Sequence, residues 1–220
     1  MDKVERVRLA DVAYRRVRQA IISGELPGGA ILREEVLAAE LGLSRTPIRE
    51  ALLRLGGDDL VETVPGRSAV VKVMTRGDAL SIVDAYWTVA RRAFAVGADR
   101  LTPAGLALAT ERVKGFADLA GSDPTAGHML LAEGWGVVYQ ASGNRELLRL
   151  LDMLRPRMER IVETCWPEGI GPTGVRRQRE LLAALRAGDT ARATRLFDAS
   201  HVALADAVAS AFAERTAAAG

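Results

Sequence analysis

Apolar positions recur at helical spacing through most of the chain, with one short stretch of β-like character early on. Over residues 9–23, Val12, Val17, Ala20 and Ile21 keep that spacing with Arg15, Arg16 and Arg18 between them, until Gly24 and Pro27-Gly28-Gly29 stop the run. A second helix is predicted over 33–41, with Val36, Leu37, Ala39 and Leu41 as its apolar positions and Gly42 opening a turn. Ser44 follows as an N-cap, its hydroxyl suited to accept an orphan backbone N–H. Pro47 falls in the first turn, where no intrahelical donor is lost, so the third helix starts at Arg45. Ile48, Ala51, Leu52 and Leu55 then repeat at i, i+3, i+4, i+7 as one apolar stripe, while Arg45 and Arg49 stand one turn apart on another face. After Gly56-Gly57-Asp58-Asp59 come two β-branched runs, Leu60-Val-Glu-Thr-Val and Ala69-Val-Val-Lys-Val, separated by the turn signal Pro65-Gly66-Arg67-Ser68. Helix, turn, helix and hairpin in that order predict a winged helix-turn-helix over residues 1–75.

Beyond Thr75 the strand-like runs cease and the 3.6-residue period continues. Helices are predicted at 77–98, 103–120, 125–141, 144–166, 173–187 and 189–214, punctuated by Pro103, Asp123-Pro124, Ser142-Gly143, the segment 167–172 and Gly188-Asp189. The fold class is therefore mainly α: a winged helix-turn-helix domain over 1–75 and an all-α helical bundle over 76–220.

Composition changes this picture little. The chain has 220 residues, 49% hydrophobic, ample for two cores without staples. A single cysteine, Cys165, excludes an intrachain disulfide and a cysteine-based zinc cluster. The first thirty residues lack a secretory apolar core, and no later segment reads as a membrane span, so a cytoplasmic protein with no membrane partner is expected. Net charge is only +2, and residues 1–75 carry 12 basic against 11 acidic side chains, so bulk electrostatics do not advertise a polyanion partner. Local arrangement has to supply that signal. Arginine forks match phosphate oxygens and the O6/N7 edge of guanine, and a capped helix presenting Arg45 and Arg49 suits a reader of the major groove. Gly66 at the wing tip permits close backbone approach, and Arg67 beside it can reach a phosphate or minor groove.

The motifs Gly24-Glu-Leu-Pro-Gly-Gly, Leu41-Gly-Leu-Ser-Arg-Thr-Pro-Ile-Arg-Glu-Ala-Leu and Pro65-Gly-Arg-Ser resemble the DNA-binding domain of the GntR family of bacterial transcription regulators. That resemblance implies double-stranded DNA as partner and Arg33, Ser44, Arg45, Thr46, Arg49 and Gly66 as contacts; Arg67 joins them from its place on the wing. The plainer alternative makes some of these caps or surface pairs, such as Arg49 with Glu50.

The helical half resembles the effector-binding and dimerisation domain of the FadR subgroup, through Arg91-Arg92-Ala-Phe, Ala141-Ser-Gly-Asn144 and Leu182-Ala-Ala-Leu-Arg-Ala-Gly-Asp189. Many members hold a metal there with an Asp, a His four residues on, and two further His. By register those positions hold Leu131, Trp135, Gln178 and Ser200, with His201 adjacent, so no metal cofactor is expected. Two outcomes stay open. Either the cavity takes a hydrophobic effector such as an acyl-CoA or another hydrophobic acid, lined by Trp135, Gln178 and His201 with Arg91 as anionic anchor, or Trp135 plugs it and the half only dimerises. An interior Arg91 paired with a helix carboxylate is an alternative to the anchor role. His128, just inside a helix, reads as solvated. The resemblance implies a homodimer on a pseudo-palindromic operator, acting as a repressor released by its effector; the alternative is a ligand-free architectural or constitutive DNA-binding dimer. No nucleophile–base pair or phosphate loop suggests an enzyme.

Overall fold

The structure, a computed structural model, describes residues 9–64, 68–119, 122–165 and 172–218. The chain divides into two units, Met1–Met74 and Thr75–Gly220.

In the first unit the order is α1 (Leu9–Ile22), β1 (Ile31–Leu32), α2 (Glu34–Leu41), α3 (Arg45–Gly57), β2 (Val61–Val64) and β3 (Ser68–Val71). The three strands form one antiparallel sheet in the order β1-β3-β2, with Leu32 opposite Ala69 and Val61 opposite Val71. Strand β1 is too short to show a period of its own and was not among the predicted elements. The α1 face Ala13, Val17 and Ile21 packs on the α3 stripe Ile48, Ala51, Leu52 and Leu55, and Leu32, Leu60, Val61 and Val71 close the core from the sheet side. The stripe read from spacing is thus the buried one.

The α2–α3 turn hinges on Gly42, whose φ of 64° is left-handed, and its N–H and that of Leu43 return to the last carbonyls of α2. Ser44 does occupy the N-cap, but its hydroxyl makes no capping bond, contrary to the expectation. Gly42 and the buried Pro47 fix the turn instead, and the exposed hydroxyl is left to other acceptors.

The second unit holds α4 (Arg76–Arg100), α5 (Pro103–Leu119), α6 (Pro124–Ala141), α7 (Arg145–Cys165), α8 (Pro172–Arg186) and α9 (Thr190–Ala218). Side chains start four of these helices as their residue types dictate. Thr75 and Asp78 form a reciprocal capping box on α4, Asp123 caps α6, Asn144 caps α7, and Asp189 accepts the Arg192 N–H at the start of α9. Helix α4 is central, packing on α6, α7 and α9, while α5 pairs with α6 and α8 with α9. Gly97 lets α4 approach α6 closely, since a Cβ there would lie 1.8 Å from the Val138 carbonyl oxygen.

Two expectations need correction here. The segment Thr190–Glu214 is, by length and composition alone, apolar enough to cross a membrane, because its many alanines raise its mean hydropathy. Its inward positions Ala193, Phe197, Leu204 and Val208 are buried within the helical unit, where α9 packs on α4 and α8. His128 is partly buried rather than solvated: it lies three and seven residues before the buried Leu131 and Trp135 on α6, and desolvation pushes its pKa down to about 4.

Candidate nucleic-acid interface and the helical-domain interior

On α3, Ser44, Arg45, Thr46 and Arg49 are exposed at the N-terminal end, opposite the buried Ile48, Ala51, Leu52 and Leu55. The two guanidiniums therefore share one outer face of a helix whose other face is locked in the core. Arg33, also exposed, precedes α2 in extended conformation. Among the described residues, Arg33, Arg45 and Arg49 enter no ion pair, so Arg49 is not held by Glu50. Gly66 and Arg67 lie outside the described residues.

At the C-terminal end of α3 the acidic groups are engaged by other partners. Tyr14 Oη donates to Asp58 Oδ2 at 2.5 Å, and Lys72 pairs with Asp59. Burial first, then the bond to Asp58, pushes the Tyr14 phenol up to about 12. Arg54 Nη1 bonds Asp11 of α1 at 2.5 Å while its guanidinium lies 4.1 Å from the centre of the Tyr14 ring. This tie between α1 and α3 escaped sequence reasoning, because it joins residues 43 apart. It stiffens the helix that presents Arg45 and Arg49.

In the helical unit, Leu131, Trp135, Gln178 and Ser200 are all buried. Their chemistry does not fit a metal: Leu131 and Trp135 offer no lone pair, and Gln178 and Ser200 offer only neutral oxygens. Ser200 Oγ donates to its own helix at Leu196, and His201 does not take over its inward position but stacks on Trp87 at 5.3 Å. Aromatic rings fill the interior around Trp135. Its indole meets Phe94 edge-on at 5.9 Å, Phe94 stacks on Phe197 at 4.5 Å, and Tyr139 meets Phe197 edge-on at 6.3 Å. Gln178 Oε1 and Trp87 Nε1 are buried without a hydrogen-bond partner among the described residues. Arg91 is not interior: it is exposed, and its Nε donates to Asp198 Oδ1 at 2.8 Å as a clasp between α4 and α9. It therefore does not join Trp135 and Gln178.

Residues 9–71 match the model of bacterial regulatory proteins of the gntR family, and residues 81–199 match the FCD domain. The HTH-type transcriptional regulator McbR of Escherichia coli (strain K12) is 27% identical over 204 residues, spanning 85% of this chain and 86% of that protein. The gluconate operon transcriptional repressor of Bacillus subtilis (strain 168) is 38% identical over 73 residues, 33% of this chain and 29% of that protein. An uncharacterized HTH-type transcriptional regulator in an unstable DNA locus of Streptomyces ambofaciens is 38% identical over 93 residues, 42% of this chain and 37% of that protein. The chain spans less than half the length of the first curated relatives it matches. Two solved structures share its fold: Escherichia coli McbR/YncC, with a TM-score of 0.78 at 22% identity over 95% of this chain and 99% of that one, and a GntR regulator from Rhodococcus sp. RHA1, with 0.72 at 23% over 94% and 98%. A family-specific head and an FCD domain that alone takes up more than half the residues leave one assignment: the chain belongs to the GntR family of bacterial regulatory proteins, in its FCD-bearing branch.

Proposed function

We propose that this protein is a sequence-specific DNA-binding transcription regulator that works as a homodimer, a repressor released by a small-molecule effector in the helical unit. The observation that carries the reading is the outer face of α3, where Arg45, Thr46 and Arg49 stand exposed and the arginines are unpaired among the described residues, behind a turn fixed by Gly42. Arg45 and Arg49 read bases; Ser44, Arg33 and the wing residues Gly66 and Arg67 position the head on phosphates. Two-fold protein symmetry places two heads on half-sites of a pseudo-palindromic operator. That several relatives bear the name repressor supports the sign of regulation. Membership of a family of bacterial regulatory proteins favours a regulator over an enzyme, with the cytoplasm as its place of work.

Selection from a random duplex library, followed by gel shifts, tests the reading. The native chain should enrich one two-fold-related motif, and Arg45→Ala or Arg49→Ala should each weaken it about 5- to 150-fold, the worth of one bidentate base contact of about 1–3 kcal/mol. No enrichment at moderate salt, or unchanged affinity in both variants, refutes it.

A specific observation favours a second reading of the helical unit. Trp135 with Phe94 and Phe197 fills the interior where an effector such as an acyl-CoA would sit, which supports a ligand-free dimer. Against it stand two orphaned buried atoms, Gln178 Oε1 and Trp87 Nε1, the latter on the indole that stacks on His201, either of which suits a ligand's polar end. Thermal shift with acyl-CoAs separates the two, since only a real site gains stability from ligand.

A further inference from the structure

A wide, open surface hollow of about 540 Å³ lies where α4 passes the turn from α6 to α7, lined by Arg92, Val96 and Arg100 of α4 and by Asn144, Arg145 and Glu146 at the start of α7. Its size lies within the range of small-molecule sites, roughly 300–1,000 Å³. The Arg100 guanidinium is held by a 2.8 Å bond from Nη1 to the Ser142 carbonyl oxygen. Gly143, at a φ of 66°, keeps the turn tight beside it; a Cβ there would sit 3.8 Å from the same nitrogen. The end of α7 contributes little charge, because Asn144 Oδ1 already accepts the N–H groups of Glu146 and Leu147. The guanidiniums supply it. Arg92 and Arg145 have no carboxylate partner among the described residues, and Glu146 is drawn off to Arg149 at 3.5 Å. Three cations thus face one hollow whose single carboxylate is engaged elsewhere. Water screens the repulsion among these exposed guanidiniums, while an anion seated between them is attracted by all three. Val96 is the one aliphatic side chain in the lining.

We propose that this hollow binds a small, hydrophilic oxyanion bearing at least two negative charges, a phosphate ester or a polycarboxylate, forked between Arg92, Arg100 and Arg145. The site is separate from the interior around Trp135 and from the DNA-facing arginines, and its existence does not depend on the regulator reading. Calorimetric titration of the full chain at low salt with inorganic phosphate, glucose 6-phosphate, citrate and neutral glucose tests it. One of the anions should bind with one site per chain, glucose should not, and the anion preferred identifies which of the two chemistries the site takes. The double variant Arg92→Gln/Arg145→Gln should weaken binding about tenfold or more, and Arg92→Lys/Arg145→Lys, which keeps charge and loses the fork, should fall between. Both side chains are exposed, so the fold is expected to persist; should the double variant not fold, Arg145→Gln alone carries the test. Arg45→Gln/Arg49→Gln should bind the anion as the parent does. Absence of binding by every anion up to about 10 mM, equal binding in the glutamine and parent proteins, or loss confined to the Arg45/Arg49 variant overturns the proposal.

Discussion

Gly97→Ala is a single methyl placed against backbone. Its Cβ would lie 1.8 Å from the Val138 carbonyl oxygen, 2.9 Å from the Val138 carbonyl carbon and 3.3 Å from the Ser142 nitrogen. Ordinary contact begins at 3.4 Å, so α4 and α6 would have to part by well over an ångström, and no side-chain rotation can relieve a clash with main chain. Parting them also loosens the Phe94–Trp135 contact that spans the same interface. Overpacking of a core costs about 1–3 kcal/mol even when side chains can yield, and the helix preference for Ala over Gly returns only about 1 kcal/mol. Because main chain cannot yield, the upper end of that range applies, and a net loss of about 2 kcal/mol is expected. Gly136, on the neighbouring turn of α6, is the internal control: nothing lies within 4 Å of its would-be Cβ, so Gly136→Ala should gain up to about 1 kcal/mol. Urea unfolding of the full chain, followed by far-ultraviolet circular dichroism, reads both. The helical unit's midpoint should fall by about 1 M in Gly97→Ala and rise slightly in Gly136→Ala, with the winged unit's transition unmoved. Equal stabilities, or a greater loss at position 136, would show that the α4–α6 crossing is not as close as described.

Two other expectations concern charge. Arg54→Met removes both the Asp11 pair and the stacking on Tyr14; because these groups are about half exposed, the loss should be only about 1 kcal/mol, seen as a lower midpoint for the winged unit in calorimetry. His128 is held neutral in the fold, with its pKa lowered from 6.5 to about 4, so the unfolded chain binds the extra proton first as pH falls. Its contribution is complete above pH 6.5 and drains away between there and pH 4, up to about 3 kcal/mol. Stability measured across that window should be flatter in His128→Gln, and an identical slope in parent and variant would contradict the burial.

Local signals carried most of the architecture. Gly24, Gly42, Pro103, Pro124 and Gly188 punctuate a strong helical period, and every long helix falls within a few residues of its predicted bounds. The Ile48-Ala51-Leu52-Leu55 stripe left Arg45 and Arg49 nowhere to go but outward. What escaped depends on distance along the chain. Strand β1 is defined only by its pairing with β3, some 38 residues on. Arg91 finds Asp198, 107 residues away, and so turns from a pocket anchor into a surface clasp. His128 looked solvated beside Gly127, although its spacing to Leu131 and Trp135 already put it on their side of α6. The hollow at the α6–α7 turn was invisible for the same reason, since Arg92, Arg100 and Arg145 come together only once α4 crosses that turn.

The ring cluster around Phe94 and Phe197 also sorts the chain optically. All three tryptophans, at positions 87, 135 and 166, belong to the helical unit, while the winged unit has a single aromatic residue, Tyr14. Indole emission therefore originates in one half alone. A dye placed on the winged unit would complete a two-colour readout, in which each half is watched at its own wavelength without removing a native chromophore.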